Sequence, residues 1–170
     1  DFALNKNKKI KDLSRGMRMK FALAIALSHH ADLIIMDEPT SGLDPIVRSE
    51  LLDILVDYIQ DENKAVFLST HITTDLDRIA DYITFINQGK IVFSTGKDEL
   101  LDEYGIVKGA KEDLTPELKR QLVGTKEGNF GFEGMTLNKQ KVKDVVSQNV
   151  LIERPTLEDI MLYTVRGEEN

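Results

Sequence analysis

Leu33-Ile34-Ile35-Met36-Asp37-Glu38-Pro39-Thr40-Ser41-Gly42-Leu43-Asp44 is the stretch that decides the fold. The four apolar residues 33–36, bounded by Pro39 and Gly42, predict a buried parallel strand. That strand runs into Asp37 and Glu38. Adjacent strand residues point to opposite sides, so the two carboxylates do not form one dyad sharing a proton; they suit separate tasks. Metal-assisted hydrolysis of a nucleotide asks for that division, one carboxylate for Mg²⁺ and one for water. Asp44 before Pro45 predicts a helix N-cap with proline at the first helical position. Leu51, Leu52, Leu55 and Ile59 then recur on one helical face.

Upstream, Leu13-Ser14-Arg15-Gly16-Met17 leads into a predicted helix over 17–27, with Ser14 as its N-cap. A serine hydroxyl, a glycine that admits close approach and the exposed N–H groups of a helix start together make an anion site. Taken alone, the pentapeptide is better accounted for by an ordinary capped helix. His29 and His30 have no metal-ligand partners at useful spacing and read as helix C-terminal residues favoured by the dipole. Downstream, residues 65–68 predict a second buried strand, and Ser69-Thr70-His71 follows it. His71 therefore falls near the carboxyl ends of the strands, where α/β sheets bind ligands.

In order and spacing, these pieces resemble the second half of the nucleotide-binding subunit of an ABC transporter. Leu13–Met17 is similar to that family's signature loop, residues 33–38 to its Walker B strand, 41–44 to its D-loop and His71 to its switch histidine. The family pattern at the signature is Leu-Ser-Gly-Gly-Gln; here Arg15 and Met17 replace the first glycine and the glutamine, while Ser14 and Gly16 remain. The resemblance implies that Asp37 holds Mg²⁺, usually through water, and that Glu38 orients the attacking water. It implies that His71 contacts the γ-phosphate of ATP and that Ser14 and Gly16 reach ATP held by a partner subunit. Asp44 would help couple the two sites of a dimer while still capping its helix. No G-x-x-x-x-G-K-[ST] occurs; Gly89-Lys90 and Gly96-Lys97 are followed by Ile91 and Asp98. The expectation is therefore the C-terminal portion of such an ATPase, lacking its phosphate loop, cut from a longer chain and inactive alone.

The remaining composition fits. The chain has 170 residues, 41% hydrophobic and 30% charged, no cysteine and a formal net charge of −7. That length allows one good core with a small appendage. The absence of cysteine excludes disulfides and thiol chemistry and fits a cytosolic protein. The acidic balance argues against a nucleic-acid partner. Residues 1–20 run the other way, with Lys6, Lys8, Lys9, Lys11, Arg15, Arg18 and Lys20 against Asp1 and Asp12. Such a cluster suits a polyphosphate, or is simply a solvated basic segment. No apolar run approaches a membrane span.

The fold class expected is α/β: a partial P-loop-NTPase-like parallel sheet with flanking helices and an antiparallel hairpin, plus a small α+β C-terminal appendage. Residues 1–100 would be the C-terminal portion of the ATPase domain and 101–170 the extension. Residues 1–12 read as a loop or short helix. The hairpin is predicted from 82–86 and 90–93 through Asn87-Gln88-Gly89, and a short helix from 73–80. In the extension, 106–108, 130–137 and 150–153 predict strands. Helices are predicted at 115–122, 142–147 and 156–165, the last with a capping-box-like Thr156 and Asp159.

For the intact protein the resemblance implies ATP and Mg²⁺ as cofactors, a second ATPase subunit and a multi-span membrane permease as partners, and a cytoplasmic position at the inner face of the membrane. Export is the expected direction, as in antibiotic and drug-export systems. Two other readings compete. One is a lobe of a chromosome-maintenance or DNA-repair ATPase of the wider ABC class. The other is a non-catalytic relic of the fold with a regulatory appendage. The truncation also predicts apolar surface left uncovered beside residues 33–36, and self-association of the isolated chain.

Overall fold

The computed structural model describes residue 4 and residues 7–168. Lys6 and Asp1 of the N-terminal charge cluster, and the start of the expected loop over 1–12, lie outside the described residues. The chain divides into two compact units, residues 1–79 and 80–170.

In the first unit a 3-10 turn, Ile10–Asp12, precedes α1, Arg15–Ser28. Ser14 Oγ accepts from the Met17 backbone N–H at 3.3 Å, satisfying one of the free donors at the helix start. His30 leaves the far end of α1 at φ +52°. Three oxygens just past it (His30 O, Ala31 O and Asp32 Oδ1) accept from Lys64 Nζ at 3.1, 3.0 and 2.8 Å. The strand β1, Leu33–Asp37, follows, then α2, Pro45–Tyr58, β2, Ala65–Ser69, and α3, Thr73–Ile79. As the sequence predicts, Asp44 caps α2, its carboxylate accepting from Ile46 N at 3.2 Å and Val47 N at 3.1 Å.

β1 and β2 pair in parallel, in register from Leu33 opposite Ala65 to Asp37 opposite Ser69. One face of this pair packs on the helices. Ile34 joins Leu23 of α1, Leu51, Leu52 and Leu55 of α2 and Ile79 of α3 in the core, and Met36, Val66 and Leu68 pack against it. Met19, Leu23 and Leu27 recur every four residues along α1, which puts them all on that side. Leu51 and Leu55 are fully buried, worth roughly 1.5–3 kcal/mol each. The opposite face is bare: Leu33 is 51%, Ile35 71% and Phe67 65% exposed. The strands are thus buried on one side only. A parallel pair ordinarily has both faces covered.

In the second unit β3, Tyr82–Asn87, and β4, Lys90–Gly96, form the predicted antiparallel hairpin. Its two-residue turn places Gln88 at φ +47° and Gly89 at φ +75°, the left-handed pair that matches strand twist. Phe85 and Phe93 meet across it with ring centroids 5.6 Å apart. Next come α4, Lys97–Glu103, β5, Gly105–Gly109, a 3-10 turn at Lys111–Asp113, α5, Pro116–Arg120, and β6, Val123–Glu127. They are followed by β7, Phe132–Thr136, α6, Lys139–Lys143, β8, Leu151–Glu153, and α7, Leu157–Glu168. The four strands after the hairpin form an antiparallel sheet in the order β6-β7-β5-β8. Val107, Leu118, Phe132, Val142 and Val150 make its core. The predicted capping box opens α7: Asp159 N donates to Thr156 Oγ1 at 3.1 Å and Thr156 N to Asp159 Oδ2 at 2.9 Å.

Parallel and antiparallel sheets with helices give the mixed α/β class. Three elements depart from expectation. Helix α6 covers 139–143, not 142–147, because Asn138 Oδ1 accepts from Lys141 N at 3.1 Å and sets an earlier start. Helix α4 and strand β6 were not expected from the sequence. In β6 only Val123 is apolar, and Gly124, at φ +61°, interrupts the alternation.

Candidate functional site

Asp37, Glu38 and His71 come together at the carboxyl ends of β1 and β2. The parallel register sets the end of one strand beside the end of the other. Ser69 Oγ donates to Asp37 Oδ1. Glu38 N donates to Ser69 O at 3.0 Å, which extends the ladder one residue past β1. At Glu38 the chain turns, with φ +46°, a left-handed conformation that a non-glycine residue adopts at a cost of about 1–3 kcal/mol. The turn swings the carboxylate toward His71. Glu38 Oε1 accepts from the His71 backbone N–H at 3.1 Å and lies 2.8 Å from His71 Nδ1. Glu38 Oε2 is buried and has no hydrogen-bond partner among the described residues. The two carboxylates therefore have different partners.

Ser14, Gly16 and Asp44 occupy the junction of the α1 and α2 N-termini. Gly16 is buried, and a Cβ there would lie 2.9 Å from Val47 Cγ1. Arg15 lies over the turn between β1 and α2: a Cβ on Gly42, at φ +66°, would lie 2.7 Å from its guanidinium Nη1. That turn links the two groups, with Ser41 N donating to Glu38 O at 3.2 Å and Leu43 N to Thr40 O at 3.1 Å.

A buried polar network braces the same turn. Thr40, 1% exposed, donates its hydroxyl to Asp75 Oδ2, and Asp75 is itself 1% exposed. Arg48 of α2 completes it, with Nε donating to Asp75 Oδ1 at 2.7 Å and Nη2 to Thr74 Oγ1 at 2.5 Å. One carboxylate on α3 thus holds the residue two past Glu38 and the second turn of α2. Sequence reasoning assigned no role to Thr40, Arg48, Asp75 or Ser69. An acid in the first turn of a helix reads as a dipole-favoured surface residue, so Asp75 gives no local signal. Ser69 could have been found by aligning the ends of the two predicted strands.

Magnesium with a nucleotide fits these residues. The buried, unpartnered Glu38 Oε2 is an acceptor in want of a donor such as water. Among the described residues no group of three or more His, Cys, Asp or Glu is placed to cage a metal. Mg²⁺ in nucleotide sites characteristically takes one or two carboxylates and completes its shell with phosphate oxygens and water. Asp37 suits that demand; a metal held wholly by protein side chains does not fit.

The fold is mixed α/β and is similar to that of a solved component of an ABC transporter. The solved structure of cbiO1 from Clostridium perfringens, part of the ABC transporter complex cbiONQ, superposes with TM-score 0.50 at 28% identity, covering 58% of this chain and 39% of that one. The lantibiotic transport ATP-binding protein SrtF of Streptococcus pyogenes is 38% identical over 89 residues, 52% of this chain. The fluoroquinolones export ATP-binding protein MT2762 of Mycobacterium tuberculosis is 30% identical over 122 residues, 72% of this chain. Residues 6–76 match a family model described as an AAA domain of the AbiEii-toxin, type IV toxin–antitoxin kind. By sequence the chain is homologous to the ATP-binding proteins of ABC transporters. It spans 38% of the length of each of the two relatives.

Proposed function

We propose that this chain is the C-terminal portion of the ATP-hydrolysing subunit that powers an ABC transporter, in an export system. The observation that carries the reading is the strand-end cluster: two carboxylates with separate partners, one of them paired with a histidine two residues past the neighbouring parallel strand. In this reading Asp37 holds Mg²⁺ and Glu38 orients water, with its carboxylate kept in place by His71. Bound Mg·ATP supplies the phosphoryl group and the charge that neutralises it as it leaves. Ser14 and Gly16, at the start of α1, and Asp44 address ATP held by a second ATPase subunit. Residues 1–100 belong to the ATPase domain and 101–170 to an extension. The relative named for fluoroquinolone export supports the direction of transport.

The intact protein then works on the cytoplasmic face of a membrane, bound to a multi-span permease. The net charge of −7 gives no support to a nucleic-acid partner. Among the described residues no helix is long and apolar enough to cross a membrane.

Two preparations test the reading. The full-length protein that contains this chain hydrolyses ATP only with Mg²⁺ present; failure to do so contradicts the proposal. The isolated chain hydrolyses none and binds ATP weakly or not at all, because the backbone nest and lysine of a phosphate loop carry most of the grip on a triphosphate. It also self-associates through the bare β1–β2 face, where Leu33, Ile35 and Phe67 are exposed. Light scattering resolves a dimer or larger species; a monodisperse monomer at high concentration contradicts the association.

A further inference from the structure

We infer that Ser69 is a positioning residue for the strand-end carboxylates, its hydroxyl fixing the carboxylate of Asp37 in the orientation a divalent cation requires. The inference rests on the functional reading above and concerns the same site.

Three observations carry it. The parallel register places Ser69 directly opposite Asp37. The Ser69 hydroxyl donates to Asp37 Oδ1 rather than to a backbone carbonyl of its own strand. The backbone of Ser69 already completes the strand pairing, since its carbonyl accepts from Glu38 N at 3.0 Å. The hydroxyl accepts from the same Glu38 N at a longer 3.4 Å, so what it adds to the pairing that the carbonyl already makes is its donation to Asp37. Both side chains sit on the exposed positions of their strands, so the contact buries nothing and contributes little to the core.

The chemistry of the donor matters. A serine hydroxyl is neutral and gives one proton to one oxygen. It restrains the carboxylate without cancelling its charge. A lysine or arginine there would hold Asp37 equally well but would neutralise the anion that Mg²⁺ needs. An alanine or valine would leave Asp37 free to rotate among staggered side-chain conformers. Two residues on, His71 grips Glu38 Oε1 through its backbone N–H. The end of β2 and the residues just past it thus hold the carboxylates at and just past the end of β1, the first through a side chain and the second through the main chain.

Manganese titration followed by electron paramagnetic resonance, with the full-length protein and ATP, reads the effect directly. Ser69→Ala weakens Mn²⁺ binding by about tenfold or more, the range found when an outer partner of a metal ligand is removed. The Mg²⁺ concentration for half-maximal ATP turnover rises by the same factor, while turnover at saturating Mg²⁺ stays within about threefold of wild type. Ser69→Thr keeps the hydroxyl and restores wild-type metal affinity. Ser69→Cys keeps the volume but weakens the donor, and shifts the affinity in the same direction as alanine; it serves if the alanine variant does not fold. Unchanged Mn²⁺ affinity in both Ser69→Ala and Ser69→Cys overturns the inference, as does a loss that Ser69→Thr fails to restore. A wild-type protein with no Mg²⁺-dependent hydrolysis instead sinks the functional reading itself, so the two failures are separable.

Discussion

Gly16 answers to packing and, in the proposed reading, to chemistry as well. A phosphate contact needs a backbone without a Cβ, and so does the approach of α1 to α2, where Val47 Cγ1 lies 2.9 Å from the position a Cβ would take. Valine is stiff about χ1 and cannot simply rotate away. Gly16→Ala therefore lowers the stability of the chain by about 1–2 kcal/mol, the overpacking cost exceeding the fraction of a kcal/mol that alanine gains in a helix. Adding Val47→Ala recovers that overpacking cost relative to Val47→Ala alone, measured by urea unfolding as a double-mutant cycle. Additive effects in the cycle contradict the packing account. In the full-length protein the same pair isolates the second role: a stable double variant that has lost ATP turnover shows that Gly16 also serves the phosphate. At this scale the sequence was informative where chemistry imposes a residue type at a fixed spacing. Asp37, Glu38, Asp44 and His71 all fall there, and the structure brings Asp37, Glu38 and His71 to one strand end. Ser69 stayed hidden because its role depends on the register between two strands, which local sequence does not state.

At the scale of elements, the turn between β1 and α2 is held from α3. Asp75 is 1% exposed and accepts from Thr40 and Arg48 together. Its side chain is 2% exposed against 29% for Arg48, so the ion pair is desolvated mainly on the carboxylate side. Removing the carboxylate leaves a guanidinium partly buried and a fully buried hydroxyl without its acceptor. Asp75→Ala should then cost about 3 kcal/mol, the scale of breaking a buried pair by deleting one partner. Asp75→Asn should cost less, since the amide oxygen still accepts from Thr40. Urea unfolding of both variants checks this, and a loss below about 1 kcal/mol for alanine contradicts a bracing role. Elements that follow one strong periodicity were legible: α1 and α2 with their caps, the β1–β2 pair and the β3–β4 hairpin. The polar strand β6 was not, because its place is set by pairing with β7 and its Gly124 leaves room only for backbone beside Tyr163. Helix α6 moved because one side-chain cap outweighed the apolar residues that suggested a later start.

For the molecule as a whole, the central claim is that the chain carries the hydrolytic half of an ATP site and takes the rest from elsewhere. The bare face of β1 and β2 accords with it, since Ile35 and Phe67 are among the most exposed apolar residues of their unit while Ile34 beside them is buried. The sequence predicted the two strands and an apolar surface left uncovered, but not that a whole face of both strands would be bare; that emerged only with the register, which sets Ile35 opposite Phe67. The most direct measurement is ATP turnover and ATP binding, side by side, for full-length wild type and Glu38→Gln. The substitution keeps the shape of the side chain and removes its charge and basicity. A water-orienting or general-base group contributes roughly 10²–10⁴-fold to rate. The account predicts a fall in turnover of at least about 100-fold, with ATP affinity retained and a nucleotide-bound dimer accumulating. Near-normal hydrolysis by Glu38→Gln, with ATP bound as tightly as by wild type, would contradict it.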